Sequence, residues 1–498
     1  MKKTKIVATL GPASEDKVIL KKMVKAGMNV ARLNFSHNVH KHHAMLIANI
    51  RSVSKELSQP LAILQDLQGP RIRLGDVDEK GIEISAKSIV VLFPEEEKVV
   101  SGKDEIFVPI QYPQLYKDIK PGEPILIDDA TIELKVSKVV GKNIYCSVVT
   151  PGLIKSHKGM NFPKSTISCP AITDKDIADV EFGVKQKVDF VALSFVKDAK
   201  DIISLRKRIY ALEKKYKHQT YDRVPTKTDS ANSVGGVHTR IIAKIERREA
   251  IENFDEILNA ADGIMVARGD LGIELPFEQL TLIQKNIIEA CRKIGKPVIV
   301  ATQMLDSMIR NPLPTRAEVS DVANAILDGT DAIMLSGESA TGKYPLKAIE
   351  AMTRIADAVE QKTVNNFEKR ELDFKNVSTL FHILGFMAQD VAEDLAGAKL
   401  IVTTTLSGFT AHSISRFKPS LPVIAVTPAS QTASQLALSW GVQSQVVAFT
   451  KSFEQTLSNI RKILISQKLV KKGDKVIILS SHPNGFVEGV NTLKVEVI

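Results

Sequence analysis

The chain has 498 residues, 44% of them hydrophobic and 25% charged, enough for two to four domains with ordinary soluble cores. No stretch approaches the roughly 20 apolar residues of a membrane span, and Cys146, Cys169 and Cys291 have neither the CxxC spacing of a zinc site nor the density of a disulfide framework, so a reducing, cytoplasmic setting is expected. The net charge of +10 is spread along the chain and aromatic content is only 5%, which argues against a nucleic-acid partner and suits anionic small substrates.

The opening MKKTKIVATLGPAS joins a basic start to an apolar run too short for a secretory signal, and reads as a first strand. Further apolar runs follow as NVARLNF, LAILQDL, FVALSF, RIIAKIE, GIMVAR, PVIVATQ and AIMLSG, with amphipathic segments such as Asp16 to Lys25 and Phe277 to Ile294 between them. Eight strands alternating with helices predict an α/β fold, a closed parallel (β/α)8 barrel over residues 1–69 and 170–356. Between its third and fourth strands, residues 70–169 carry GIEISAKSIVVLF, EPILIDD, TIELKVSKVV and NIYCSVV, which predict an inserted β-barrel or sandwich placed as a lid. The polar stretch from Glu213 to Val237 reads as an exposed loop. From 357 to 498 the runs KLIVTTT, PVIAVTP, QSQVVAF, DKVIILSS and NTLKVEVI predict an open C-terminal α/β domain.

A barrel of this kind does its chemistry at the C-terminal strand ends. Those ends carry Arg32 and Asn34, Asp66, Ser194, Lys244 and Glu246, Arg268 and Asp270, Thr302, and Ser336 with Glu338. Glu246 and Asp270 would leave the same end of the sheet, each with a cation two residues upstream, and their oxygens suit a hard divalent ion. Either carboxylate alone also reads as a helix cap; nearly every strand ending in a phosphate-, metal- or proton-binding group favours phosphate chemistry.

The blocks TKIVATLGPAS, MNVARLNFSH, DLQGPRIR, KGMNFP, IIAKIE, DGIMVARGDLGIELP, VIVATQMLDSMI, PTRAEVSDVANAILDGTDAIMLSGESATGKYP and GVNTLKV resemble the pyruvate kinase family along essentially the whole chain. The resemblance implies phosphoryl transfer from phosphoenolpyruvate to ADP, giving ATP and pyruvate by way of an enolate, with Mg2+ or Mn2+ on Glu246 and Asp270. It implies substrate contacts from Arg32, Lys244, Gly269, Asp270 and Thr302, nucleotide contacts from Asn34, Phe35, Ser36, His37 and Arg73, and catalytic roles for Lys244, Arg73, Thr302, Ser336 and Glu338. The proton donor to the enolate stays open between these groups and water. A homotetramer is the family expectation.

Two departures from the family pattern matter. Many members hold K+ on Asn, Ser and Asp side chains and one backbone carbonyl, here Asn34, Ser36, Asp66 and Leu67, beside an acidic residue that this chain replaces with Arg71. The fixed guanidinium is expected to supply the monovalent charge, so K+ is not required; a solvated surface arginine is the plainer alternative. In the C-terminal domain Thr405, Ser407, Gly408 and Thr410 match a loop that binds a sugar-phosphate effector, while Leu406 and Phe409 stand where basic residues often sit, leaving a sugar phosphate or a nucleotide open. A metal-dependent carbon–carbon lyase and a non-catalytic metabolite sensor are the competing readings; a protein kinase is excluded by the lack of its Gly-rich, HRD and DFG signatures.

Overall fold

The computed structural model describes residues 2–97, 105–218, 238–363, 380–450, 452–480 and 491–498. Eight parallel strands close into a barrel: β1 (Lys5–Thr9), β2 (Val30–Asn34), β3 (Ala62–Asp66), β4 (Phe190–Leu193), β5 (Arg240–Ile245), β6 (Gly263–Ala267), β7 (Val298–Ala301) and β8 (Ala332–Leu335). These strands read as unbroken apolar runs because both faces are covered. One face, including Val7, Val30, Leu64, Phe190, Ile242, Met265 and Met334, fills the barrel interior, while Ile6, Ile63, Val191, Ile264 and Val300 pack outward under the helices. Helix Lys17–Ala26 begins one residue later than the amphipathic pattern suggests, because the Asp16 carboxylate accepts from the N–H groups of Val18 and Ile19 and so caps the helix from outside it.

Between β3 and β4 a six-stranded sheet folds around its own core, which includes Leu92, Val108, Leu134, Ile144 and Met160. Residues 72–75 join its two edges: Arg73 pairs with Gly159 and Leu74 with Ile110. Backbone bonds from Met160 N to Ile72 O and from Gly75 N to Pro109 O reinforce the closure. The β-barrel insertion is therefore sealed by the segment that enters it, which also carries Arg71 and Arg73.

Helix Pro345–Thr363 runs through the point at which the sequence divides barrel from C-terminal domain, residue 357. Its apolar face, Ala348, Ile349, Met352 and Ala356, belongs to the barrel core, so the first half of this helix packs with the barrel. Beyond it, β9 (Ala398–Thr404), β10 (Val423–Thr427), β11 (Val442–Val446), β12 (Lys475–Ser480) and β13 (Thr492–Val497) form an open sheet in the order β11-β10-β9-β12-β13, antiparallel only at the last pair. The third strand lies slightly earlier than the QSQVVAF run suggested, in register with β10 from Val423–Val442 to Thr427–Val446. The loop expected over Glu213 to Val237 begins inside a helix, which extends to Lys215, and its residues 219–237 lie outside the described residues.

The two domains meet at the foot of the barrel. Ala437 and Leu438 pack among the interior residues, and Lys418 Nζ reaches Asp331 at 3.0 Å beside Trp440, whose backbone N–H also donates to that carboxylate. Asp189, just before β4, accepts from Ile63 N of β3 at 2.7 Å, and burial pushes its carboxyl up from 3.8 to about 7. The folded chain thus keeps a proton that the unfolded chain has released, and stability falls as pH rises between about 4 and 7. Asp189→Asn, which retains a carbonyl acceptor, is expected to raise Tm over the parent more at pH 8 than at pH 4 in paired thermal scans. Equal gains at both pH values would contradict this.

Candidate active site

The C-terminal strand ends surround a cavity of about 160 Å3, lined by Arg32, Asn34, Ser36, His37, Asp66, Leu67, Arg71, Arg73, Ser194, Lys244, Glu246, Asp270 and Thr302 among others. At its centre Lys244 Nζ lies 2.9 Å from Glu246 Oε1, 3.2 Å from Asp66 Oδ1 and 2.8 Å from Ser194 Oγ. Burial pulls the Lys244 ammonium down, but Asp66 and Glu246 outweigh it and hold the group above its ordinary range. Lys244 is therefore a fixed cation at neutral pH and cannot act as a base. Asp66, also buried, bonds Arg32 Nε at 2.6 Å, and the two cations keep it below the usual carboxylate range against the effect of burial.

Arg32 is oriented from its other side by Thr9 Oγ1, which accepts from Arg32 Nη1 at 2.8 Å and donates to Leu335 O at 2.9 Å. Thr9 was absent from the residues singled out in the sequence. It ends β1, so the same reading of strand ends would have found it.

Glu246 sits just past β5, and its second oxygen accepts from Phe195 N at 2.7 Å. Burial pushes its carboxyl up; Lys244 opposes this and the like charge of Asp270 adds to it. Asp270 lies in the first turn of helix Arg268–Glu274, after β6. Two carboxylates crowded at one cavity are a fitting donor set for a hard cation. No cluster of three or more His, Cys, Asp or Glu forms a metal site among the described residues, so such an ion would take its remaining ligands from substrate and water.

Thr302, just past β7, has φ 70°, and Gln303 follows at 55°. A β-branched residue in the left-handed region costs about 1–3 kcal/mol and persists only where neighbours enforce it. Here Gly269 N donates to Thr302 Oγ1 at 2.8 Å and Arg268 Nη2 to Thr302 O at 2.8 Å, so the strain is held by the helix that carries Asp270. Arg268 itself pairs with Asp321 at 2.7 Å.

Arg71 and Arg73 enter from the inserted domain. Arg71 Nη2 lies 3.6 Å from Asp270 Oδ1 and 3.3 Å from Asp129 Oδ1. A Cβ on Gly159 would fall 2.9 Å from Arg71 Nε, so only glycine there leaves the guanidinium its place. Arg73 Nη1 donates to His157 O at 2.9 Å. Asn34 Oδ1 accepts from Ser36 N at 3.1 Å, and Leu67 O accepts from Ser194 Oγ at 2.7 Å.

Phe35, Gly269, Ser336 and Glu338, all anticipated at the site, do not line the cavity. The Phe35 ring is buried and stacked on His43 at 3.9 Å, while its backbone N–H donates to Asp66 O and its carbonyl accepts from Lys175 Nζ. Ser336 and Glu338 are not among the cavity residues: both Glu338 oxygens accept backbone N–H groups, from Ser336 at 2.8 Å and Leu305 at 3.1 Å. Glu338 thereby shapes the turns after β7 and β8. The loop of Thr405, Ser407, Gly408 and Thr410 belongs to the C-terminal domain, where Gly408 N donates to Thr405 Oγ1 at 2.9 Å and Ser407 O accepts from Arg240, the first residue of β5.

Comparison with known proteins agrees with this geometry. Family models described as "Pyruvate kinase, barrel domain" and "Pyruvate kinase, alpha/beta domain" match residues 1–220 with 227–349, and 385–496. The chain is 42% identical to a pyruvate kinase of Clostridium acetobutylicum, with all of both chains covered. It is 41% identical to that of Clostridium perfringens, again over all of both, and 42% identical to that of Geobacillus stearothermophilus, over all of this chain and 80% of the relative. With the same two domains matched in order and two relatives aligned over all of both chains, this chain belongs to the pyruvate kinase family.

Proposed function

We propose that the protein transfers the phosphoryl group of phosphoenolpyruvate to ADP, giving pyruvate and ATP. The observation that carries this reading is Lys244 fixed between Asp66 and Glu246, with Arg32 and Asp270 around the same cavity. Such transfer needs positioning and charge neutralisation rather than a covalent intermediate. Lys244 and Arg32 supply positive charge to the substrate phosphate. As the phosphorus–oxygen bond to the enol breaks, its electron pair stays on the enol oxygen and the ADP β-phosphate oxygen bonds the phosphorus. Lys244 stabilises the enolate, and protonation at carbon completes pyruvate beside Thr302. Arg73, with Asn34, Ser36, His37 and the Phe35 backbone, forms the nucleotide side. Glu246 and Asp270 would hold Mg2+ or Mn2+, which supplies Lewis-acid neutralisation of phosphate and enol oxygens when bound.

Ser336 and Glu338 act by positioning the turn beside Thr302. Arg71 replaces the monovalent cation, supported by its approach to Asp270. We assign the protein to the cytoplasm and to a homotetramer: Phe277, Leu282 and Leu313 are exposed apolar side chains that a second copy would cover, and edge strand β13 exposes Val495 and Val497. A sugar phosphate or nucleotide at Thr405 to Thr410 would act on β5 through Arg240.

A coupled assay tests the reading. Pyruvate formation is expected to require both ADP and Mg2+, and EDTA or Asp270→Asn to lower kcat at least ~100-fold. Pyruvate released without ADP would instead favour a lyase.

A further inference from the structure

We propose that His43 and Lys175 are positioning residues for ADP: each bonds one backbone carbonyl of the turn after β2 from outside the cavity, and together they fix the face that Ser36 and His37 present to the nucleotide. This role rests on the turn's assignment to the nucleotide side of the cavity, which Ser36 and His37 both line and His43 and Lys175 do not. Four histidines, His37, His40, His42 and His43, fall close together here and by composition suggest a metal-binding tract. The fold separates them. His37 lines the cavity, His40 Nε2 lies 2.7 Å from Asp179 Oδ1, His42 Nε2 lies 3.3 Å from Glu15 Oε2, and the His43 ring stacks on Phe35.

His43 is buried in the first turn of helix His40–Leu57, and its Nε2 lies 3.0 Å from His37 O. A carbonyl can only accept, so Nε2 carries the proton and donates. Nδ1 is buried with no hydrogen-bond partner among the described residues, so a second proton there would have no acceptor. The ring is therefore held neutral, and burial accordingly pulls its pKa below the ordinary imidazole value. Stacked on Phe35 at 3.9 Å and 9° from parallel, it directs its one N–H to the turn.

Lys175 Nζ donates to Phe35 O at 2.6 Å and to Asp179 Oδ2 at 2.6 Å, one turn further along helix Asp174–Lys185. The buried Asp179 carboxylate offsets the ammonium charge, so Lys175 acts on the turn through its bond rather than through a long-range field. The same helix holds the entry to the inserted domain, because Asp176 Oδ1 accepts from Gly69 N at 3.2 Å. The turn and the segment that carries Arg73 are thus anchored to one helix, which keeps the two halves of the nucleotide side in register. Bonds inside the turn, from Ser36 N to Asn34 Oδ1 and from His37 N to Asn34 O, shape it locally. Phe35 N bonded to Asp66 O ties down its start; Lys175 and His43 then set where it points. A turn that ADP itself had to order would bind ADP more weakly. Phosphoenolpyruvate, held by Arg32 and Lys244, would not be affected.

The test measures KM for ADP and KM for phosphoenolpyruvate in full-length variants at saturating Mg2+. His43→Phe keeps a stacked ring and removes the donor, whereas His43→Gln supplies an amide N–H in its place. Lys175→Met keeps the stem of a half-exposed side chain and removes the ammonium, whereas Lys175→Arg keeps a charged donor. His43→Phe and Lys175→Met are each expected to raise KM for ADP at least fivefold, with KM for phosphoenolpyruvate within twofold of the parent. His43→Gln and Lys175→Arg are expected to bring KM for ADP back to within twofold. An unchanged KM for ADP in either loss variant that folds, an equal rise for both substrates, or no recovery in the conservative variants would overturn the proposal. His37→Ala separates the two levels of the reading. If it raises KM for ADP while His43→Phe and Lys175→Met do not, the positioning role falls and the nucleotide side stands; if none of the three raises it, the turn's assignment falls as well.

Discussion

Lys244→Met is expected to lower kcat for pyruvate formation about 10^3-fold, with KM for phosphoenolpyruvate changing much less. The asymmetry follows from where charge appears. In the bound substrate the negative charge is spread over phosphate oxygens that Arg32 and the metal also face, so losing one cation weakens binding only in part. In the transition state new charge develops on the enol oxygen, and Lys244, held by Asp66, Glu246 and Ser194, is the cation already oriented there. The same substitution leaves Glu246 with one backbone donor, and Asp66 with Arg32 and a longer bond from Ser194 Oγ at 3.4 Å. Breaking a buried pair of this kind costs about 3–5 kcal/mol, so a fall in Tm is expected alongside the loss of rate. Activity is therefore to be measured well below the variant's Tm, with near-ultraviolet circular dichroism checking the fold. Turnover within tenfold of the parent would remove Lys244 from the chemistry.

The barrel was legible because strands buried on both faces leave continuous apolar runs, and because a parallel barrel sends its polar residues to one end. That rule located Arg32, Asp66, Lys244, Glu246, Asp270 and Thr302, and it would have located Thr9 as well. Other features depend on contacts between distant segments and have no local signature. The left-handed Thr302 is enforced by Gly269 and Arg268, thirty-odd residues upstream. Glu338 reads as a strand-end acid like Glu246, yet its oxygens are satisfied by backbone N–H groups of two separate turns. Phe35 follows the β2 end, but an aromatic ring gains more from His43 and the core than from the cavity. Helix Pro345–Thr363 keeps one amphipathic period across residue 357, and only packing shows that its apolar face lies in the barrel core.

Arg71→Glu is expected to make turnover depend on K+. Arg71 brings its guanidinium within 3.6 Å of Asp270 and 3.3 Å of Asp129, in the space that Gly159 leaves open. It thus contributes a fixed positive charge beside the carboxylate assigned to the divalent ion. At an effective dielectric of about 20, two unit charges 4 Å apart interact by ~4 kcal/mol, so exchanging an attraction for a repulsion is large on the scale of a rate. The variant is expected to lose about 100-fold or more in kcat in tetramethylammonium buffer. Asn34, Ser36, Asp66 and the Leu67 carbonyl line the same cavity, and with the guanidinium gone they offer the oxygen ligands a monovalent ion needs. Potassium chloride near 0.1 M is therefore expected to restore at least tenfold, whereas the parent should change less than twofold between the two buffers. Matching ionic strength in both buffers separates site occupancy from general screening. A parent enzyme that itself requires K+ would show that Arg71 is a solvated surface charge. A variant that K+ cannot rescue would show that the guanidinium orients Asp270 by geometry that a spherical ion cannot replace.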